Sequence, residues 1–270
     1  MEGLKTSSNR TVLLTGAAKR LGKAIALHFA KAGWNVVLHY GNSKQDAIDT
    51  LEQIKALGVR AIAIQANLAQ PDAIKTLFQA SVDEFGRVDC LINSASVFEY
   101  DRPSQKAHMV TQSGLVRNIQ VNLAAPVLLA QEMFHHLQKQ LARNDGLVPV
   151  TIQLLDQKLI NLNPDYFSYT LSKSALLTAT EMMALDFAPT LRSVGLAPGI
   201  TLPSGKQTEV EFLQAHQMTP MGYSSSTDDI AQAALFIANA KAITGTTIYV
   251  DGGQHLIPSR RDVMFNTQEG

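Results

Sequence analysis

The chain has 270 residues, 46% apolar and 17% charged, the composition of an ordinary globular protein with a sizeable core. Lys plus Arg and Asp plus Glu both number 23, which removes any bulk electrostatic case for nucleic acid or an anionic membrane as partner. The single cysteine, Cys90, excludes an internal disulfide or a Cys-rich zinc site, and within the apolar run 88–92 it reads as a buried, inert thiol.

Residues 1–10 read as a flexible leader without the apolar centre of a signal peptide. No apolar run approaches the roughly 20 residues of a membrane span, so a cytoplasmic protein is expected. The patterning predicts strands at 11–15, 35–39, 60–65 and 88–92, separated by amphipathic helices at 21–32, 44–57 and 72–85. A polar stretch near 104–113 leads into a long helix that contains Asn122 and Pro126, a kink candidate, and runs to about residue 141. A strand at 148–155, a helix at 166–187 and a strand at 191–197 follow; 201–224 reads as polar and irregular. A helix at 227–240 and a strand at 246–250 complete the order. Apolar strands alternating with amphipathic helices imply α/β architecture: one doubly wound, Rossmann-type parallel sheet of seven strands with helices on both faces. No internal boundary or repeat is visible, so 11–254 is expected to be a single domain, with 255–270 as a tail.

In such sheets ligands bind beyond the carboxyl ends of the strands. The first turn, Thr15-Gly16-Ala17-Ala18-Lys19-Arg20-Leu21-Gly22, is Gly-rich and suited to a pyrophosphate held on backbone N–H groups. Arg20 stands where a middle glycine is common, and its guanidinium is a candidate for phosphate or substrate. After the second strand, His39-Tyr40-Gly41-Asn42-Ser43-Lys44 has no carboxylate to bond a ribose 2′-hydroxyl. Asn42, Ser43 and Lys44 suit a 2′-phosphate instead, which selects NADP(H), although Ser43 serves equally as a helix cap. Asn67 and Leu68, after the third strand, are candidates for the adenine.

Tyr169 and Lys173 are four apart on a helix and therefore share a face. An ammonium beside a phenol favours the phenolate and suits it to proton donation near neutral pH. Taken alone, so common a spacing favours two plain surface side chains.

Three landmarks occur in order: Thr15-Gly16 with Gly22, Asn93-Ser94-Ala95-Ser96 after the fourth strand, and Tyr169 with Lys173. With Pro198-Gly199 and Asp251-Gly252-Gly253, they resemble the short-chain dehydrogenase/reductase family over about residues 10–254. The resemblance implies that Tyr169 donates a proton, that Lys173 lowers its pKa and holds the nicotinamide ribose, and that Asn122 supports a relay water. His39, Tyr40, Leu21, Pro198 and Gly199 join the implied cofactor contacts. The first turn with its arginine, Leu38-His39-Tyr40, and Asn93 through Phe98 narrow the likeness to the pteridine and dihydromonapterin reductases. Ser94, Gly41-Asn42, Asn67 and Ser193-Val194 depart from their usual pattern.

Asp156, 13 residues before Tyr169, stands where most of the family has serine. A hydroxyl can donate to a ketone oxygen, whereas a carboxylate only accepts, so Asp156 suits a substrate that presents N–H groups or a ring nitrogen. Phe98 is expected to stack on a planar ring, and the resemblance implies that Ser96 and Arg20 contact both cofactor and substrate. The segment 201–224, with Thr201 and Ser204 as lining candidates and Gly205 and Gly222 as hinges, reads as a substrate lid. Arg260 or Arg261 of the tail is a candidate to reach a neighbouring subunit's site, in the homotetramer that the resemblance implies. The expected activity is NADPH-dependent reduction of a dihydropterin (biopterin, dihydromonapterin or dihydrofolate) to its tetrahydro form. The alternatives are a 3-oxoacyl-type carbonyl reductase and a non-catalytic NADP(H) sensor.

Overall fold

The computed structural model describes residues 10–140, 147–203 and 207–266. Ser204, Gly205, the leader through residue 9 and the expected helix end at residue 141 lie outside the described residues. Seven parallel strands form one sheet in the order β3-β2-β1-β4-β5-β6-β7. They are β1 (Thr11–Thr15), β2 (Asn35–Tyr40), β3 (Ala61–Gln65), β4 (Cys90–Asn93), β5 (Val150–Leu154), β6 (Arg192–Pro198) and β7 (Thr247–Val250).

Alternation along the strands feeds a core on each face. Val12 and Leu14 of β1 join Ile25, Phe29, Trp34 and Ile237 on the side of helices α1 (Arg20–Lys31), α2 (Lys44–Lys55) and α8 (Thr227–Asn239). Leu13 joins Leu77, Phe78, Leu129, Met133 and Phe187 on the side of α3 (Pro71–Phe85), α5 (Ala125–Lys139) and α6 (Phe167–Asp186). Cys90 is fully buried and burial pushes its thiol up, in keeping with an inert side chain.

Two expectations need correction. The long helix is not simply kinked at Pro126: α4 (Gln112–Ile119) passes through a π turn at Gln120–Ala124 before α5 begins. Pro126 has no N–H to offer the Asn122 carbonyl four residues back, so the irregular turn falls where regular bonding would fail anyway. Residues 201–224 are not irregular throughout, because Glu209–Gln217 forms α7. Its start is a capping box in which Thr208 N–H donates to Glu211 at 2.7 Å and Glu211 N–H donates to Thr208 Oγ1 at 3.2 Å.

The strand order reverses direction between β1 and β4, and their carboxyl ends therefore part to leave a crevice. The two exits are held close at their base. Thr15 Oγ1 accepts the N–H groups of Ser94 and Ala95 at 3.0 and 3.1 Å. Gly16 adopts φ +66°, and a Cβ there would stand 2.8 Å from Ala95 Cα. Gly22 meets the same turn from α1, where a Cβ would strike the Gly16 carbonyl oxygen and stand 2.9 Å from Ala17 Cα. Gly22→Ala should therefore lower stability by about 1–3 kcal/mol through backbone overpacking, read as a lower urea midpoint with unchanged m-value.

Candidate active site

A cleft of about 1100 Å³ opens at this switch point, lined from β1 through the C-terminal tail. Its phosphate end is the turn Gly16–Gly22. Arg20 takes a left-handed φ of +53° and carries its guanidinium across the cleft, where it donates to the Pro203 carbonyl at 3.0 Å. Arg20 thus bridges the turn to the segment that follows β6. Lys19 also lines the cleft and stands 3.9 Å from Asp46. It was not singled out from the sequence, although a basic side chain in a Gly-rich turn was the available signal.

The predicted β2 contacts divide. Gly41 and Asn42 line the cleft, whereas Tyr40 leans on the core and Ser43 and Lys44 do not reach the lining. Ser43 occupies the N-cap position of α2 without a side-chain cap bond. His39 lines the cleft but both ring nitrogens are used within the protein. Nδ1 accepts the Gly16 N–H at 3.2 Å, so Nε2 carries the proton and donates to the Ala66 carbonyl at 3.1 Å. His39 is therefore a strut under the turn rather than a free ligand. Burial holds its pKa down from 6.5 to about 4 against the opposing bond to Ala66.

Leu21, Asn67, Leu68, Pro198, Gly199 and Thr201 all line the cleft. Asn67 Oδ1 also accepts Ala69 N–H at 3.1 Å. Ser94, Ala95, Ser96 and Phe98 line it from β4, but Asn93 does not: its amide points into the sheet and donates to Gln153 at 2.9 Å. The cofactor role expected for Asn93 is corrected accordingly, since alternation turns it to the strand face opposite Ser94.

Asn122 is also absent from the lining, and it has no exposed surface. Its Oδ1 accepts Val97 N–H at 2.8 Å and Ser96 Oγ–H at 3.2 Å. Its Nδ2 lies 2.9 Å from the Val97 carbonyl, 3.0 Å from Ser172 Oγ and 3.1 Å from Asn118 Oδ1. The side chain is a clamp on the β4 exit.

At the reaction end, Tyr169 OH donates to Asp156 Oδ2 at 3.0 Å, and Asp156 Oδ1 accepts Lys158 N–H at 2.9 Å. Lys173 turns its Nζ to the Leu154 carbonyl at 2.5 Å, and lies 5.9 Å from the centre of the Tyr169 ring. The expected lowering of the Tyr169 pKa is reversed here. Burial, and then the Asp156 carboxylate, push the phenol well above its ordinary value. Burial likewise raises Asp156, against the Lys158 charge, and lowers Lys173 to about 8 against the pull of Asp156.

Phe98 stacks on Tyr166 (ring centres 4.1 Å, 10° between planes) and meets Tyr169 edge-on at 4.7 Å. The far wall comes from the tail: Asp262, Val263 and Met264 line the cleft, the last two from the short helix α9 (Val263–Asn266). Arg261 is not extended toward a neighbour, since its Nε donates to Asp165 at 2.9 Å in the same chain; Arg260 is exposed. Arg117 of α4, Gln157, and Val263 and Met264 of α9 were not singled out from the sequence, whereas the tail from Gln254 to Asp262 was a candidate stretch and does reach the cleft through Gln254 and Asp262.

This sheet order, Gly-rich turn and Tyr169–Lys173 pair define a dinucleotide-fold oxidoreductase, and the chain belongs to the short-chain dehydrogenase/reductase family. A family profile described as enoyl-(acyl carrier protein) reductase matches residues 16–255. The structure is similar to FolM alternative dihydrofolate reductase 1 from Brucella canis complexed with NADP. The two share 32% identity over 94% of this chain and 96% of that one, with a TM-score of 0.84. Among curated proteins, a 3-oxoacyl-[acyl-carrier-protein] reductase FabG of Staphylococcus epidermidis is 30% identical over 92% of this chain and all of that protein. Glucose 1-dehydrogenase 2 of Bacillus subtilis is 29% identical over 95% and 98%. No helix among the described residues is long and apolar enough to cross a membrane.

The buried neutral His39 makes a pH prediction. Its folded pKa lies below the free value, so its contribution is whole above pH 6.5 and is lost as pH falls toward about 4. The full loss is about 3 kcal/mol. Urea midpoints measured from pH 7 to pH 4 should fall in that window, and His39→Gln should flatten it.

Proposed function

We propose that the protein reduces a pteridine with NADPH, converting a dihydropterin to the tetrahydro form. The observation that carries this reading is the Asp156 carboxylate at 3.0 Å from the Tyr169 hydroxyl, in the position where a donor would serve a ketone. A carboxylate there would repel a developing alkoxide, whereas it accepts readily from the N–H groups of an aminopyrimidine edge. The 32% identity to a FolM dihydrofolate reductase supports the same substrate class.

The residues present fit NADP(H). The β2 exit presents Asn42 without a carboxylate, and Lys19 and Arg20 of the Gly-rich turn supply positive charge to the cleft. Asn67 and Leu68 suit the adenine, and Ser94 to Ser96 with Pro198 and Gly199 suit the nicotinamide half, where Lys173 would hold the ribose. When bound, the cofactor supplies a hydride to a carbon of the C=N bond. Tyr169 OH donates to the Asp156 carboxylate, and burial disposes the phenol to keep its proton rather than release it to water. A ring nitrogen gaining negative charge draws that proton, directly from Tyr169 or through a water held by Asp156. Phe98 offers a ring face at the cleft mouth, held by Tyr166 behind it.

The FabG relative favours a second reading, reduction of a 3-oxoacyl carbonyl. Steady-state kinetics with NADPH against dihydrobiopterin, dihydromonapterin, dihydrofolate and a 3-oxoacyl ester separates the two. Turnover of at least one pterin or folate is expected; turnover of the ester alone would overturn the proposal. Asp156→Ser should cut pterin kcat/KM roughly a hundredfold or more, and undiminished pterin turnover would count against Asp156. Tyr169→Phe should lower kcat by a similar factor while NADPH still binds, measured by fluorescence titration; unchanged turnover would remove the phenol from the chemistry.

A further inference from the structure

We propose that the C-terminal segment 259–265 is a wall of its own chain's substrate compartment, latched there by Asp165, and that this latch sets substrate affinity. Asp165 is a positioning residue in the turn before α6, and its side chain has no exposed surface. Its Oδ2 accepts Arg261 Nε at 2.9 Å and Asp262 N–H at 2.8 Å, both from the tail. Its Oδ1 accepts Arg102 at 3.0 Å and Tyr100 OH at 3.2 Å, both from the loop after β4. Burial alone would raise this carboxyl, but the Arg261 bond, the Asp262 N–H and the two guanidinium charges hold it below the usual carboxylate range.

One buried carboxylate therefore joins three segments that meet nowhere in sequence. The consequence reaches the cleft. With Arg261 fixed, Asp262, Val263 and Met264 become lining residues of the cleft that Asp156 also lines. Asp262 also meets Lys158 Nζ at 3.4 Å, the residue whose N–H holds Asp156. Tyr166 OH reaches Met264 Sδ at 2.7 Å, and Phe98 stacks on the Tyr166 ring. The latch thus fixes the tail wall and the aromatic wall together, while the phosphate turn lies at the other end of the cleft. Loss of the latch should weaken the substrate and leave the cofactor alone.

The test compares Asp165→Asn, Arg261→Gln and Arg261→Lys in the full chain. Asp165→Asn and Arg261→Gln should each raise substrate KM roughly tenfold, with kcat changed less and NADPH affinity within about twofold of wild type. Arg261→Lys should recover part of the loss, and the double variant should be no worse than Asp165→Asn alone, because both break one contact. Should Asp165→Asn fail to fold, Arg261→Gln carries the test, since it alters only the tail. Unchanged KM in Arg261→Gln, or NADPH affinity falling in step with KM, would overturn the latch. The substrate is taken as a pterin on the reading above. KM is measured with whichever compound of the panel the wild type reduces, so failure of the pterin reading remains distinct from failure of the latch. Hydrogen exchange of 259–265 gives a readout independent of turnover: protection equal to wild type in Arg261→Gln would also overturn the proposal.

Discussion

The site depends on the amide of Asn122. It sits where the helix between β4 and β5 relaxes into a π turn, and it binds the Val97 backbone through both its N–H and its carbonyl. Ser172 Oγ meets the same amide and also donates to the Tyr169 carbonyl at 2.7 Å. One fully buried side chain thus ties the β4 exit to the helix that carries Tyr169. Phe98 follows Val97 directly, and Tyr169 lies one turn before Ser172, so the aromatic wall and the phenol inherit their spacing from this clamp. A buried amide satisfied at both ends is costly to disturb, since any shift leaves donors and acceptors unpaired.

Burial, more than pairing, sets the electrostatics around it. Tyr169 and Asp156 are both raised and Lys173 is lowered, each primarily because the charged form has left water. The attraction between Asp156 and Lys173 opposes the shift of the lysine without cancelling it. Lys173 instead spends its ammonium on the Leu154 carbonyl, at the end of β5. The resulting centre favours the neutral form of each of these side chains over the charged one.

The α/β alternation, the seven strands and the switch point were legible because doubly buried strands and amphipathic helices have periods that survive in sequence. Asp156, Tyr169 and Phe98 were legible as a constellation through the family's spacing, and they do converge. What periodicity does not carry was lost. The π turn at Asn122 and the strut at His39 depend on which side-chain atoms find partners across the sheet. Asn93 was grouped with Ser94, Ala95 and Ser96, but its side chain faces Gln153 of the neighbouring strand while the other three line the cleft. The capping box at Thr208 and Glu211 was present in the letters, but it was overridden by the polar composition around it.

The tail was a candidate in the sequence, but its docking on its own chain was not visible there, and the reason is a matter of charge. Burying Asp165 without compensation would cost several kcal/mol. The loop after β4 supplies a guanidinium and a phenol to one carboxylate oxygen, and leaves the other oxygen to be satisfied. The tail completes it with one guanidinium and one backbone N–H. Ordering of the C-terminal segment is thus the other half of a desolvation problem that arises at residue 165. The position of the segment answers to this charge together with the packing of Phe265 against the Tyr100 and Tyr166 rings, whose centres lie 5.2 and 6.4 Å away.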